Sequence, residues 1–214
     1  MQMAPEVGER EHEERTAYVG RMEIRWDARI LEPRPWTADQ SRWAARLLTE
    51  LPHGPVLELC SGAGHIGLLA VCGTRRELVC VDVDPVAAAY AEANAVRNGV
   101  TGVEVRTQGV EEAARDARRY VLVIADPPWV PSAETGRFPE DPLRAIDGGA
   151  DGTDLALACA RTAAAVLEPG GLLLLQLGTG AQVDAVVRAV APALLEVERR
   201  TCEGGVLVLL RSAG

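Results

Sequence analysis

The 214-residue chain contains no lysine; all 22 of its basic residues are arginine. Against 31 acidic residues they leave a net charge of −9, so the molecule has no global attraction for a polyphosphate and free nucleic acid is a disfavoured partner. Cysteines are few. The five (Cys60, Cys72, Cys80, Cys159 and Cys202) are odd in number, scattered and without a C-x-x-C pair, which argues against a disulfide framework and against a zinc site. Only His12, His53 and His65 could join a metal cage, and no metal is expected. The longest apolar run, around Leu172 to Leu175, is far short of the ~20 residues a membrane helix needs, and the charged N-terminus has no signal-peptide core. A cytoplasmic protein without a membrane partner is the expectation.

What the chain does have is core material: 48% of residues are apolar and 25% charged, enough for one globular domain. Residues 1–21 read as a flexible, charged N-terminal arm and residues 22–214 as a single domain. A short hairpin is expected over 22–31. The stiff turn Glu32-Pro33-Arg34-Pro35-Trp36 then leads to a helix over 37–51, with Thr37 as its cap. Beyond Pro55, apolar strand-like runs at 56–59, 78–83, 103–106, 121–125 and 172–177 alternate with Ala-rich helical stretches, and two more close the chain at 194–197 and 206–210. The alternation predicts an α/β fold with a doubly wound, mostly parallel seven-stranded sheet. The last two runs are separated by too few residues for a helical crossover, so one strand should be antiparallel.

The first of these strands runs into Glu58-Leu59-Cys60-Ser61-Gly62-Ala63-Gly64-His65-Ile66-Gly67, and an acid, Asp82, follows at the end of the next strand. Glycines here let a ligand approach the backbone and leave a helix N-terminus facing it. The literal G-x-G-x-x-G permits a nicotinamide dinucleotide, with Asp82 on a ribose. Glu58 tips the balance: a carboxylate at this place calls for a cation, and a pyrophosphate would add only negative charge. S-adenosylmethionine carries both an ammonium and a sulfonium. On that reading Glu58, Cys60, Ser61, Gly62, Gly64, Asp82, Val83 and Asp126 form the cofactor-binding set.

The fourth strand ends in Ala125-Asp126-Pro127-Pro128-Trp129. Two prolines lock the turn and leave the Pro127 carbonyl without a neighbouring amide. A carboxylate and a carbonyl meet the two hydrogens of a planar nitrogen, and Trp129 stacks on the attached π-system. Asp126, Pro127, Pro128 and Trp129 are accordingly the candidate catalytic residues, with Arg34, Pro35 and Trp129 on the acceptor substrate.

Together these residues resemble the class I S-adenosylmethionine-dependent methyltransferases of the HemK-like branch, which modify amide or amine nitrogens. Asp126-Pro127-Pro128-Trp129 is similar to their N/D-P-P-Y/F/W motif, the stretch Ala145-Ile146-Asp147-Gly148-Gly149-Ala150-Asp151-Gly152-Thr153-Asp154 to their A-L-x-G-G-x-D-G-L-D segment, and Pro33-Arg34-Pro35-Trp36-Thr37 to their P-R-P-x-T turn. The resemblance implies nitrogen methylation of a small molecule or a protein side chain, with a partner subunit or a homo-oligomer possible. It also adds Val110, at the end of the third strand, to the cofactor-binding set. Glutamine-modifying members carry Asn-Pro-Pro-Tyr at the corner, whereas this chain has Asp126 and Trp129. That leaves a nucleic-acid amino group as an alternative acceptor, and a catalytically silent cofactor-binding module as another reading.

Overall fold

The computed structural model describes residues 13–214. Most of the expected arm, residues 1–12, lies outside them. The remainder is not an arm: Arg15–Val19 is a strand, β1, paired antiparallel with β2, Met22–Trp26, around Gly20. The hairpin therefore lies one strand earlier than expected. It is anchored by Asn94 and Asn98 of a later helix, which act on β2 as a strand partner would. Asn94 accepts from the Arg25 amide at 2.8 Å and donates to its carbonyl at 3.0 Å, and Asn98 does the same for Glu23 at 3.1 and 2.9 Å.

After the proline turn comes α1, Thr37–Glu50. Thr37 does not cap it. Trp36 holds the cap position, and the Thr37 hydroxyl donates back to the Arg34 carbonyl at 2.6 Å. The doubly wound portion then follows as β3 (Val56–Leu59), α2 (His65–Val71), β4 (Leu78–Asp82), α3 (Pro85–Arg97), β5 (Val103–Thr107), α4 (Val110–Ala113) and β6 (Tyr120–Ala125). A short helix α5 (Leu143–Ile146), α6 (Asp154–Val166), β7 (Leu167–Leu177), α7 (Gly180–Val190), β8 (Leu194–Cys202) and β9 (Gly205–Ser212) complete it.

The seven strands lie in the order β5-β4-β3-β6-β7-β9-β8, parallel from β5 through β7, with β9 reversed against both β7 and β8. This is the predicted α/β architecture. The central strands are apolar on both sides because both faces are covered. In β6, Leu122 and Ile124 join the core under the hairpin, α1, α2 and α3, while Val123 and Ala125 join the core under α6 and α7. β3 and β6 are neighbours whose following helices pass to opposite faces, and the crevice beyond their carboxyl ends is where such a sheet receives a ligand. Among the described residues, no helix is long and apolar enough to cross a membrane, and no cluster of His, Cys, Asp and Glu could hold a metal ion.

Candidate functional site

The chain leaves β3 through three residues in the left-handed region, Cys60 (φ 56), Gly62 (φ 51) and Gly64 (φ 77). Glycine adopts this at no steric cost, whereas Cys60, a non-glycine, carries strain of about 1–3 kcal/mol. The strain is held in place by bonds around it: the Ser61 amide donates to the Val81 carbonyl at 3.1 Å and the Gly62 amide to Asp82 Oδ2 at 2.8 Å. Asp82 Oδ1 accepts from the Asp84 amide at 2.9 Å. Its carboxylate is thus oriented by two backbone donors while each oxygen keeps acceptor capacity toward the cavity. Burial pushes its pKa up against the pull of those amides.

A cavity of about 270 Å3 opens above this loop. Cys60, Ser61, Gly62, Asp82, Val83, Val110 and Asp126 all line it, so seven of the nine expected cofactor residues converge there from β3, β4, β5 and β6. A side chain added at Gly62 would meet nothing within 4 Å, which leaves that face of the loop open to a ligand. The Cys60 thiol rests 3.8 Å from Cys159 Sγ; this contact and burial push its pKa well up, which makes it packing rather than a nucleophile.

Two expected cofactor residues do not reach the wall. Gly64 turns the chain into α2, where a Cβ would press on the backbone and side chain of Ala91. Glu58 corrects the sequence reading more sharply. It is 1% exposed and its side chain lies beneath the loop, accepting from the Gly67 amide at 3.0 Å and from Cys80 Sγ at 3.4 Å. Its partner is the first turn of α2, not a cation in the cavity. Gly67 has to be glycine because a Cβ would collide with the Glu58 carboxyl.

Burial pushes the Glu58 pKa up to about 7, against the lowering effect of those two donors. The folded state therefore binds this proton more tightly than the unfolded chain. Its contribution to stability is complete below pH 4.5 and is lost as the pH rises towards and past 7. Glu58→Gln should flatten that loss: between pH 4.5 and 8, the parent should lose about 3 kcal/mol more unfolding free energy than the variant in urea titrations. Parallel pH profiles would show that Glu58 ionises without cost.

The corner after β6 is built from three sides. Asp126 lines the cavity, pairs with no cation among the described residues, and has its pKa raised by burial to about 7. Pro128 lines the cavity beside it. Pro127, expected beside them, is buried and does not line the cavity, although among the described residues its carbonyl accepts no hydrogen bond. Behind them the glycine-rich segment 145–154 lies flat against the turn. The Val130 amide donates to the Ile146 carbonyl at 3.0 Å and the Gly148 amide to the Val130 carbonyl at 2.9 Å. A Cβ at Gly148 would come within 2.7 Å of the Pro128 carbonyl oxygen and 2.8 Å of Trp129 Cα. Gly148 and Gly152 are required by this close backbone approach, a Cβ at Gly152 colliding with the Trp129 carbonyl oxygen, whereas one at Gly149 would strike the Asp154 side chain.

Trp129 does not line the cavity. Its ring packs over Gly178 at the end of β7, where any side chain would clash, and its carbonyl accepts from Gln182 at 2.8 Å. The aromatic plate expected for the substrate is thus a wedge that holds the corner from behind. Of the expected acceptor residues, Arg34 lines the cavity and Pro35 does not.

Sequence reasoning missed three residues. Gln40, fully buried on α1, donates through Nε2 to the carbonyls of Ala125 (3.0 Å) and Leu174 (3.2 Å), bridging β6 and β7 next to Asp126. His65, considered in the sequence as a metal ligand, is buried at the cavity wall, 2.9 Å from Thr37 Oγ1. Because the Thr37 hydroxyl donates to Arg34, the ring must donate from Nε2. Burial lowers its pKa to about 4, so it is neutral and no proton carrier near neutral pH. Arg29 enters the cavity wall gripped by the buried Asp27 at 3.0 and 2.5 Å, and Tyr90 donates to the same carboxylate at 2.8 Å.

Residues 39–138 match the family model of the methyltransferase small domain. The release factor glutamine methyltransferase of Deinococcus radiodurans is 32% identical over 163 residues, 74% of this chain and 58% of that protein. The 4-amino-L-phenylalanine/4-methylamino-L-phenylalanine methyltransferase of Streptomyces pristinaespiralis is 32% identical over 199 residues, 86% of this chain and 66% of that protein. The chain thus spans only part of the length of the curated relatives it matches. Among solved structures, the N-methyltransferase NodS of Bradyrhizobium japonicum superposes with a TM-score of 0.60 at 19% identity over 86% of this chain and all of the other, a likeness of fold. The reversed β9, the glycine loop ending against Asp82, the Asp126 corner with its glycine buttress and these relatives agree in likening the chain to the methyltransferases with the HemK-like arrangement of motifs.

Proposed function

We propose that the chain transfers a methyl group from S-adenosylmethionine to the nitrogen of a small amine held at the Asp126–Pro127 corner. The observation that carries this is the Asp126 carboxyl, unpaired and raised to about 7, in the same cavity wall as the glycine loop and Asp82.

The residues present fit the cofactor. Asp82 has acceptor capacity for ribose hydroxyls, Val83 and Val110 offer apolar flanks for a purine, and the open face of Gly62 admits the ligand close to the backbone. Bound there, S-adenosylmethionine supplies a methyl carbon activated by its sulfonium. An acceptor nitrogen held through its hydrogens by Asp126 and the free Pro127 carbonyl would have its lone pair turned into the cavity, and its methylation would leave one nitrogen proton to be removed. Asp126 takes that proton. An ordinary aspartate is too weak a base for this near neutral pH, and desolvation corrects the mismatch.

Asp126 also bears on the acceptor. An ionised aspartate and a proline carbonyl offer only acceptors, which suits an NH2 group whose carrier has no carbonyl needing a donor from the corner. We therefore favour an amine, as in the name of the Streptomyces relative, over the glutamine amide in the name of the Deinococcus one.

The test is a labelled-methyl assay offering 4-amino-L-phenylalanine and a glutamine-containing peptide, with cofactor binding followed by calorimetry. Methyl transfer to the arylamine and not the peptide is expected. Asp82→Ala should raise the dissociation constant for S-adenosylmethionine at least tenfold and leave the acceptor's KM nearly unchanged at saturating cofactor. Cofactor binding without transfer to any nitrogen would leave the chain a binding module and sink the proposal.

A further inference from the structure

A second cavity of about 430 Å3 adjoins the first. Ile30, Glu32, Arg34 and Pro142 line both, so these residues form the partition between two chambers of one site. The hairpin supplies one wall of the outer chamber and the loop leading into α5 supplies the other. Arg34 ties the walls together by its 2.5 Å pair with Asp141.

The chemistry of the outer chamber differs from that of the inner one. Its apolar lining comes from Phe138, Ile30, Pro139 and Pro142, with the edge of Trp26, a residue only 5% exposed. Arg15 lies with its guanidinium 5.1 Å from the centre of the Trp26 ring and has no carboxylate partner among the described residues, nor has Glu140 a cation. A chamber adjoining the transfer site thus presents an apolar lining and, among the described residues, one cation and one anion without charge partners. Two opposite charges left unpaired on facing walls make a poor slot for a neutral peptide segment, whose carbonyls and amides would leave both unanswered.

From this we infer that the outer chamber binds the far end of the methyl acceptor, and that this end is zwitterionic: the acceptor is a free α-amino acid whose side chain carries the reacting nitrogen. Its carboxylate meets Arg15, its ammonium meets Glu140, and its stem lies against Phe138 and the edge of Trp26 on the way past Arg34 to Asp126. The inference rests on the nitrogen-methyltransferase reading and uses its step unchanged: nitrogen gains the methyl, sulfur keeps the bonding pair, and the proton goes to Asp126.

The experiment compares four para-substituted anilines that differ only in the group remote from nitrogen: the complete α-amino acid, the same molecule without its ammonium, without its carboxylate, and without both. Binding is measured by calorimetry with S-adenosylhomocysteine present, and methyl transfer by label. The complete amino acid should bind at least tenfold more tightly than any truncated form, with kcat within about threefold wherever turnover is saturable. Arg15→Ala should erase the advantage conferred by the carboxylate and leave that of the ammonium, Glu140→Gln should do the reverse, and Arg15→Lys should restore part of the first. Glu140 lies on an exposed loop, so its variant keeps the test open even if the hairpin tolerates Arg15→Ala badly. Equal binding of all four anilines, or variants that weaken all four alike, would overturn the inference while leaving the transferase reading intact. Head-dependent binding with no methyl transferred would do the opposite.

Discussion

Asp126→Asn should lower kcat by about 10²- to 10³-fold while changing the affinity for S-adenosylmethionine by no more than about threefold, because the substitution preserves shape and removes the base. The pH dependence is the sharper test. Asp126 works as the carboxylate, and burial sets its pKa at about 7. Activity of the parent should therefore fall about tenfold per pH unit below 7 and level off above it, and the asparagine variant should lack that limb. Glu58 also titrates at about 7 but lies beneath the loop, outside the cavity. Glu58→Gln should consequently keep the limb that Asp126→Asn loses. A limb that persists in Asp126→Asn and disappears in Glu58→Gln would assign the titration to the loop and remove Asp126 from proton transfer.

How far such residues could be read from the chain depended on what their signal encodes. The parallel strands were legible because burial on both faces leaves apolar runs such as Tyr120–Ala125, six residues all buried. The reversed β9 was legible because eight residues or so cannot carry a helical crossover. β1 was not: Arg15–Val19 pairs on one side only and shows solvent most of its side chains, so a polar edge strand looked like an arm. Its boundary with the turn moved the whole hairpin.

At the site, backbone requirements were read well and side-chain directions poorly. The glycine loop and the diproline corner are statements about φ and missing amides, which residue types carry directly. Glu58 was assigned to the ligand because a strand-end acid is visible in sequence, but the alternation along β3 sends Leu57 and Leu59 to one face and Val56 and Glu58 to the other, under α2. Trp129 failed for a similar reason: the π-surface is evident, and the Gly178 that receives it is 49 positions away. Gln40 did leave a trace. The buried stripe of α1 runs through Thr37, Gln40, Ser41, Ala44 and Leu48, and polar residues on an otherwise core-facing stripe need partners.

Gln40→Met tests what that partner does. The substitution keeps length and volume and removes the two N–H donors that hold Ala125 and Leu174. Ala125 is the last residue of β6 before Asp126, and Pro127 has no amide with which to extend the ladder, so the Gln40 amide is the cross-link that fixes where β6 releases the corner relative to β7. Loss of two buried hydrogen bonds should cost about 2 kcal/mol of unfolding free energy, moderated because Gln40 Oε1 has no partner in the native state and is removed as well. The functional cost should be larger than the stability cost implies. A displacement of the carboxyl by a fraction of an ångström spoils the alignment of the nitrogen lone pair, and kcat should fall about tenfold or more. The distinguishing readout is the pattern: kcat lowered, cofactor affinity unchanged because the Asp82 side of the cavity is untouched, and the limb near pH 7 displaced because the environment of Asp126 has changed. A variant that loses stability alone, with kcat and pH profile as in the parent, would make Gln40 a packing residue and leave the corner to be held by Gly148 and Trp129.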